Sequence, residues 1–174
     1  MRATAWYAPA LVRSKRSASK VLVPLYRAFN RIRNGSRTVG AVVILVTADG
    51  FILLVRNSYE SGWGLPGGFL HRRESIHACA ARELREETGI KLELDHLESR
   101  AVIEKRSKNV TFVFTCMTRS RQESSIKRPT GLLRRSEILG IEWFPLSHMP
   151  KLKRGTRELL VAAGFHQYSI TEVQ

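Results

Sequence analysis

The chain has 174 residues, 43% of them hydrophobic and 25% charged, the size and balance of one globular domain that can bury its own core. Its formal net charge of +14 is not ordinary and points to an anionic partner: a nucleotide, a nucleic acid or acidic lipid head groups. Cys79 and Cys116 stand far apart without metal-ligand spacing, which excludes a disulfide framework and a cysteine zinc site, and no apolar run reaches the roughly 18 residues of a membrane span. A reducing, cytoplasmic setting is the expectation that follows.

The first acidic residue is Asp49, so Arg2, Arg13, Lys15, Arg16, Lys20, Arg27, Arg31, Arg33 and Arg37 have nothing nearby in sequence to offset them. Within this segment Leu22, Leu25, Tyr26, Phe29 and Ile32 recur at three- and four-residue steps, the pattern of an amphipathic helix with Pro24 in its first turn. It reads either as a helix laid on the domain with its arginines in water, or as a surface for RNA or an anionic membrane, which would make the protein peripheral there. The acid-free, Arg- and Ser-bearing start also resembles an organelle transit peptide, without an evident cleavage context. Residues 1–37 are therefore set apart as a basic N-terminal segment.

From Thr38 the character changes. "TVGAVVILVTADGFILLVRN" is two β-branched apolar runs joined through Asp49-Gly50, the signature of a hairpin. Next comes the loop "SYESGWGLPGG", punctuated by Gly62, Gly64, Pro66, Gly67 and Gly68, before a helix predicted to begin near Ser75. "RAVIEKR", "VTFVFTCMTR" and "GIEWF" read as further strands, with a long basic loop before the last. "RGTRELLVAAGF" closes the domain as a helix ending at Gly164. Strands interleaved with helices, hairpins included, indicate an α+β fold in which a mixed sheet is sandwiched by helices, over residues 38–166 with a tail at 167–174.

On the predicted helix from Ser75 to Thr88, Glu83, Glu86 and Glu87 stand at i, i+3 and i+4 and share an arc of roughly 100°. His77, Ala81, Leu84 and Thr88 occupy the opposite arc, so the helix is expected to bury that side and present acid on the other. Like charges at this spacing cost a few tenths of a kcal/mol per pair, and the helix dipole disfavours acid at a C-terminal end. A solvated acidic face would tolerate both penalties. A hard divalent cation would reverse them, because Mg²⁺ takes carboxylate oxygens, waters and phosphate oxygens, and glycines beside the helix let a carbonyl or phosphate come close.

Gly68, then Glu74 after five residues, then Arg82-Glu83-Leu84-Arg85-Glu86-Glu87-Thr88-Gly89-Ile90 after seven, resembles a complete Nudix box with every specified position filled. The resemblance covers about Thr38 to Gly164, including the "GWGLPGG" approach and the later "SEILGIEWFPLSHMP" stretch. It implies a Nudix-like α/β/α sandwich and a pyrophosphohydrolase that cleaves a phosphoanhydride in a nucleoside diphosphate linked to another moiety. It implies Mg²⁺, with Mn²⁺ as an alternative, held by Glu83, Glu86, Glu87 and the carbonyl of Gly67, or Glu83 as the base that deprotonates water. Glu74 and Arg82 resemble the pair that braces the loop-helix turn. Glu137 resembles an extra acid supplied by some members from the late loop, with Glu104 and Glu123 as competitors. For the substrate, Gly67 and Gly68 allow close approach, and Arg56 is the first choice among basic residues near the site, ahead of Arg72, Arg73, Arg134 and Arg135. Trp63, Tyr59 and Phe69 read as packing or as base-stacking aromatics, and His77 as a packed core histidine.

Substrate identity stays open at this level. No proline stands between Pro66 and Pro129, where the pattern for ADP-ribose enzymes would place one soon after the box. A small nucleotide leads; an RNA 5′-end pyrophosphohydrolase and a non-catalytic nucleotide-sensing module are the alternatives, and a homodimer is compatible with all three.

Overall fold

A parallel pairing between two strands far apart in sequence forms the spine of the protein. The computed structural model describes residues 38–104, 109–121, 126 and 137–166. Along the chain run β1 (Thr38–Thr47), β2 (Phe51–Asn57), β3 (Trp63–Gly64), β4 (Gly67–Phe69), α1 (Ile76–Thr88), a 3₁₀ turn (Leu94–His96), β5 (Glu98–Glu104), β6 (Asn109–Thr118), β7 (Ile138–Pro145) and α2 (Thr156–Ala162). β1 pairs in parallel with β6 from Thr38↔Asn109 to Thr47↔Thr118, and every other pairing between two of these strands is antiparallel. The order β3-β2-β1-β6-β5, with β4 on β1 and β7 on β2, makes one mixed sheet.

Side chains alternate across a strand, and β1 is apolar on both faces because both are covered. Ala41, Val43 and Leu45 join Leu53, Phe114 and, from α1, Cys79, Ala80 and Leu84. Ile44 and Val46 join Ile52, Leu54, Val113 and, from α2, Leu160 on the other side. The predicted α+β sandwich is therefore present, with α1 and α2 on opposite faces. Each fully buried aliphatic side chain here, such as Leu84 or Leu160, contributes roughly 1.5–3 kcal/mol through area removed from water.

The expected hairpin holds only at its tip. Gly50 turns the chain at φ 80°, its N–H bonds Thr47 O, and Val46 faces Ile52. Beyond that point β2 leaves β1 for β7 and β3, and β4 takes the edge of β1 through Gly40↔Phe69, Ala41↔Gly68 and Val42↔Gly67. Gly40 permits that approach, since a Cβ there would lie 2.5 Å from Gly68 O. The divergence places β4 beneath α1.

The predicted amphipathic helix before Thr38, the tail after His166, and Arg134, Arg135 and Glu123 lie outside the described residues. Among the described residues no helix is long and apolar enough to cross a membrane.

Candidate active site

The helix α1 starts and stops where its sequence says it should. Ser75 is the N-cap, with its hydroxyl accepting from Ala78 N at 3.2 Å, and Gly89 closes the helix at φ 78° with its N–H on Arg85 O at 2.9 Å. Thr88 Oγ1 donates to Leu84 O at 2.6 Å and accepts from Ile90 N at 3.2 Å, tying the last turn to the chain beyond.

The acidic arc does not face water, contrary to the amphipathic expectation. Glu83 is fully buried and Glu87 is 3% exposed, on the same side as Cys79, Ala80, Leu84 and Thr88; Glu86 alone of the three stands at the edge. The buried arc is wider than predicted because two glycines opposite it leave room for carboxylates. A Cβ on Gly68 would lie 2.3 Å from Glu83 Oε1. Glu87 Oε2 accepts from Gly67 N at 2.9 Å, and Gly67 is itself pressed on β1, where a Cβ would fall 2.3 Å from Ala41 O. The glycine pair serves the fold on one side and the acids on the other.

Arg82 is the hub. Its Nε and Nη2 grip Glu74 Oε1 and Oε2 at 2.7 and 2.9 Å, a bidentate pair, and Nη2 also donates to Phe69 O at 3.0 Å. Its Nη1 donates to Glu83 Oε1 at 2.8 Å and to Glu86 Oε2 at 3.4 Å. Glu74 in turn accepts from His71 N at 2.9 Å, so one guanidinium joins the loop, β4 and the helix. The bond to Arg82 holds the Glu74 carboxyl below its ordinary value of 4.5, against burial, which pushes it up. Burial works against the charge on Arg82, yet the bond to Glu74 and the field of Glu83 outweigh it and raise its pKa. Cys79 lies 3.7 Å from Arg82 Nη2 and 3.9 Å from Gly68 O, its thiol pushed up to about 12 by burial.

Glu74, Arg82, Glu83, Glu86, Glu87, Gly67 and Gly68 are thus brought into one contact network. Arg56 and Glu137 come from β2 and from the approach to β7. Arg56 sits on β2 between Trp63 and Gly140, and by alternation it shares the face of Ile52 and Leu54, the face away from α1. Glu137 precedes β7, where its carbonyl accepts from Ser58 N at 2.7 Å. Glu104 lies exposed at the end of β5, and Arg72 and Arg73 are exposed on the loop before α1. Trp63 packs edge-on against Phe144 with ring centroids 4.8 Å apart, and His77 lies half-buried, 4.7 Å from the Phe114 ring centroid.

Among known proteins, the family model of the NUDIX domain matches residues 36–162. A MutT-like protein from Streptomyces ambofaciens is 32% identical over 109 residues, which are 61% of this chain and 62% of that protein; the chain thus spans less than two thirds of its relative. The crystal structure of a MutT NUDIX hydrolase from Burkholderia pseudomallei superposes with a TM-score of 0.61 at 26% identity, covering 74% of this chain and 98% of that one. A UDP-X diphosphatase structure superposes with a TM-score of 0.55, also at 26% identity, covering 74% and 63% of the two chains. The box is complete in sequence and closed in space around Arg82, and the chain belongs to the Nudix hydrolase family.

Proposed function

We propose that the protein is a divalent-cation-dependent pyrophosphohydrolase that cleaves a phosphoanhydride bond in a nucleoside diphosphate linked to another group. The observation that carries this reading is the shared contact of Glu83 and Glu86 with one guanidinium nitrogen, beside a glycine that leaves space for the Glu83 carboxylate. The residues fit a hard cation. Their donors are carboxylate oxygens, and the pocket already accommodates positive charge between two of them. As the side chains stand, no three His, Cys, Asp or Glu groups among the described residues converge on one point, so binding requires carboxylate rotation, for which half-exposed Glu86 is best placed.

Glu83, Glu86 and Glu87, with the carbonyl of Gly67, would hold Mg²⁺ or Mn²⁺. A bound divalent cation supplies charge neutralisation at phosphate oxygens and a lowered pKa for water. The chain's own residues position the acids through Arg82 and Glu74, and Gly67 and Gly68 keep the floor thin enough for a phosphate to approach. In the reaction, water oxygen bonds to phosphorus, the anhydride P–O bond breaks toward the leaving phosphate, and a carboxylate of the cluster takes the proton. Glu83, buried and oriented by Arg82, is a candidate for that role, as are its two neighbours.

A panel that separates and measures the phosphorylated products formed with Mg²⁺ from nucleoside triphosphates, sugar nucleotides and dinucleoside polyphosphates tests the reading. Turnover of at least one member, lost on chelation, supports it; inactivity across the panel with either Mg²⁺ or Mn²⁺ overturns it. A 5′-triphosphate RNA substrate is the second reading, favoured by the acid-free basic stretch before Asp49. Activity on RNA that falls steeply with added salt would sustain it, since each phosphate contact steepens that slope.

A further inference from the structure

All four exposed large apolar side chains among the described residues lie around one strand, β5. Val102 is on it and 56% exposed, and Leu94 stands in the 3₁₀ turn that leads into it. Met117 lies on β6 two residues past the outermost pair, Glu98↔Thr115, and Val161 of α2 lines a hollow of about 820 Å³ together with Ile103 of β5. β5 ends the sheet and is hydrogen-bonded, among the described strands, to β6 alone, so one row of its backbone N–H and C=O groups is left for another chain. Apolar side chains gathered around such an edge mark it as a contact surface.

Bulges and charge commonly shield an edge, and β5 has both, yet they leave a regular stretch. Arg100 is the extra residue between Ser99↔Phe114 and Ala101↔Val113, and from Ala101 to Glu104 the pairing with β6 is unbroken. Two copies joined edge to edge by antiparallel strands are related by a two-fold axis perpendicular to the sheet, which pairs residues of one face and so centres on a residue. Centring on Ala101 would oppose Glu98 and Glu104, and centring on Ile103 would set Val102 against Glu104. Centring on Val102 sets Val102 on its own copy, Ala101 on Ile103 and Arg100 on Glu104, so apolar meets apolar and each charge meets its opposite.

The charges around the edge agree with that register. A net charge of +14 sets copies of the chain against each other, but on β5 and at the hollow Glu98, Glu104 and Glu158 offset Arg100, Arg154 and Arg157. Arg100 Nη2 holds Glu98 Oε2 at 2.9 Å in a largely exposed ion pair, which contributes little and is free to exchange for Glu104 of a second copy. β6 separates β5 from β1, so the edge lies two strand spacings, about 10 Å, from the strand that carries β4 and the acids beneath α1. We infer that β5 is the interface through which two copies of the chain pair, antiparallel about Val102, into one continuous sheet that leaves both glutamate clusters free of the junction.

Sedimentation velocity on the full chain from about 1 to 100 µM tests this. The unsubstituted protein should shift from monomer toward a species of twice the mass as concentration rises. Val102→Lys, which sets two ammonium groups against each other at the axis, should raise the dissociation constant about tenfold or more, and so should Arg100→Glu and Glu104→Arg, each alone. An equimolar mixture of those two charge variants should recover the dimer, because every like-charged pair then becomes an opposite one. All three side chains are exposed, so the variants should keep the parental far-ultraviolet spectrum. A chain that stays monomeric throughout, whatever else covers the edge, overturns the inference. A dimer untouched by Val102→Lys does the same by assigning the pairing to another surface, as does a mixture of the charge variants that stays monomeric.

Discussion

Arg82 and Glu74 are joined by two parallel N–H···O bonds, Nε to Oε1 at 2.7 Å and Nη2 to Oε2 at 2.9 Å, with both side chains largely buried. The pair closes the loop that runs from β4 to α1, and it holds the remaining nitrogen of Arg82 against Glu83 and Glu86. Arg82→Lys keeps the charge and loses the fork, so it should destabilise the protein by about 2–4 kcal/mol and also disorder Glu83. Chemical denaturation gives the first quantity; a variant as stable as its parent would show that the bracket is dispensable.

The same pair predicts a pH dependence. The Glu74 carboxyl is depressed below 4.5 in the fold, so its contribution is fully present above its unfolded value and disappears as pH falls through the lower folded value. The stability difference between the parent and Glu74→Gln should hold constant from pH 7 to about pH 5 and shrink below pH 4.5. Thermal melts across that range would show it, and a difference independent of pH would count against the ion pair.

Gly68→Ala adds one carbon where Glu83 already sits, at 2.3 to 2.7 Å from its carboxyl atoms. The carboxylate must move, because Gly68 is backbone-paired to Ala41 in the sheet. Turnover should fall by roughly a hundredfold, the order seen when a charge-stabilising group is displaced from a reacting centre. Near-parental kcat/KM would mean that the position of Glu83 matters little.

Glu86→Gln and Glu87→Gln retain side-chain volume and remove charge. Each should lower turnover by about a hundredfold or more while the far-ultraviolet spectrum and melting midpoint stay close to those of the parent. Unfolding of Glu87→Gln at room temperature would instead assign that residue to the fold, through its bond to Gly67 N.

Cys79 should resist thiol reagents in the native state at pH 8, since burial pushes its thiol up to about 12 and only the thiolate attacks. Cys116, buried and also raised, should behave alike. Labelling by mass spectrometry with and without denaturant gives the comparison, and rapid native modification of Cys79 would mean that the space beneath α1 opens readily.

The sequence alone determined the local features, because they rest on short-range chemistry. Ser75 and Gly89 mark the ends of α1 through capping bonds within one turn, Asp49-Gly50 marks a reversal through a positive φ, and the spacing from Gly68 to Ile90 defines the box. The tertiary structure decided what those features face. Helical periodicity put Glu83, Glu86 and Glu87 on one arc but could not say that Glu83 and Glu87 are buried, since that depends on Gly67 and Gly68 arriving from another strand. Nor could alternation along β1 and β2 reveal that they part after Val46↔Ile52, or that β1 runs parallel to β6 more than sixty residues away. Pairing of distant strands is set by which apolar faces can be covered together, and a linear pattern carries the faces without the partners.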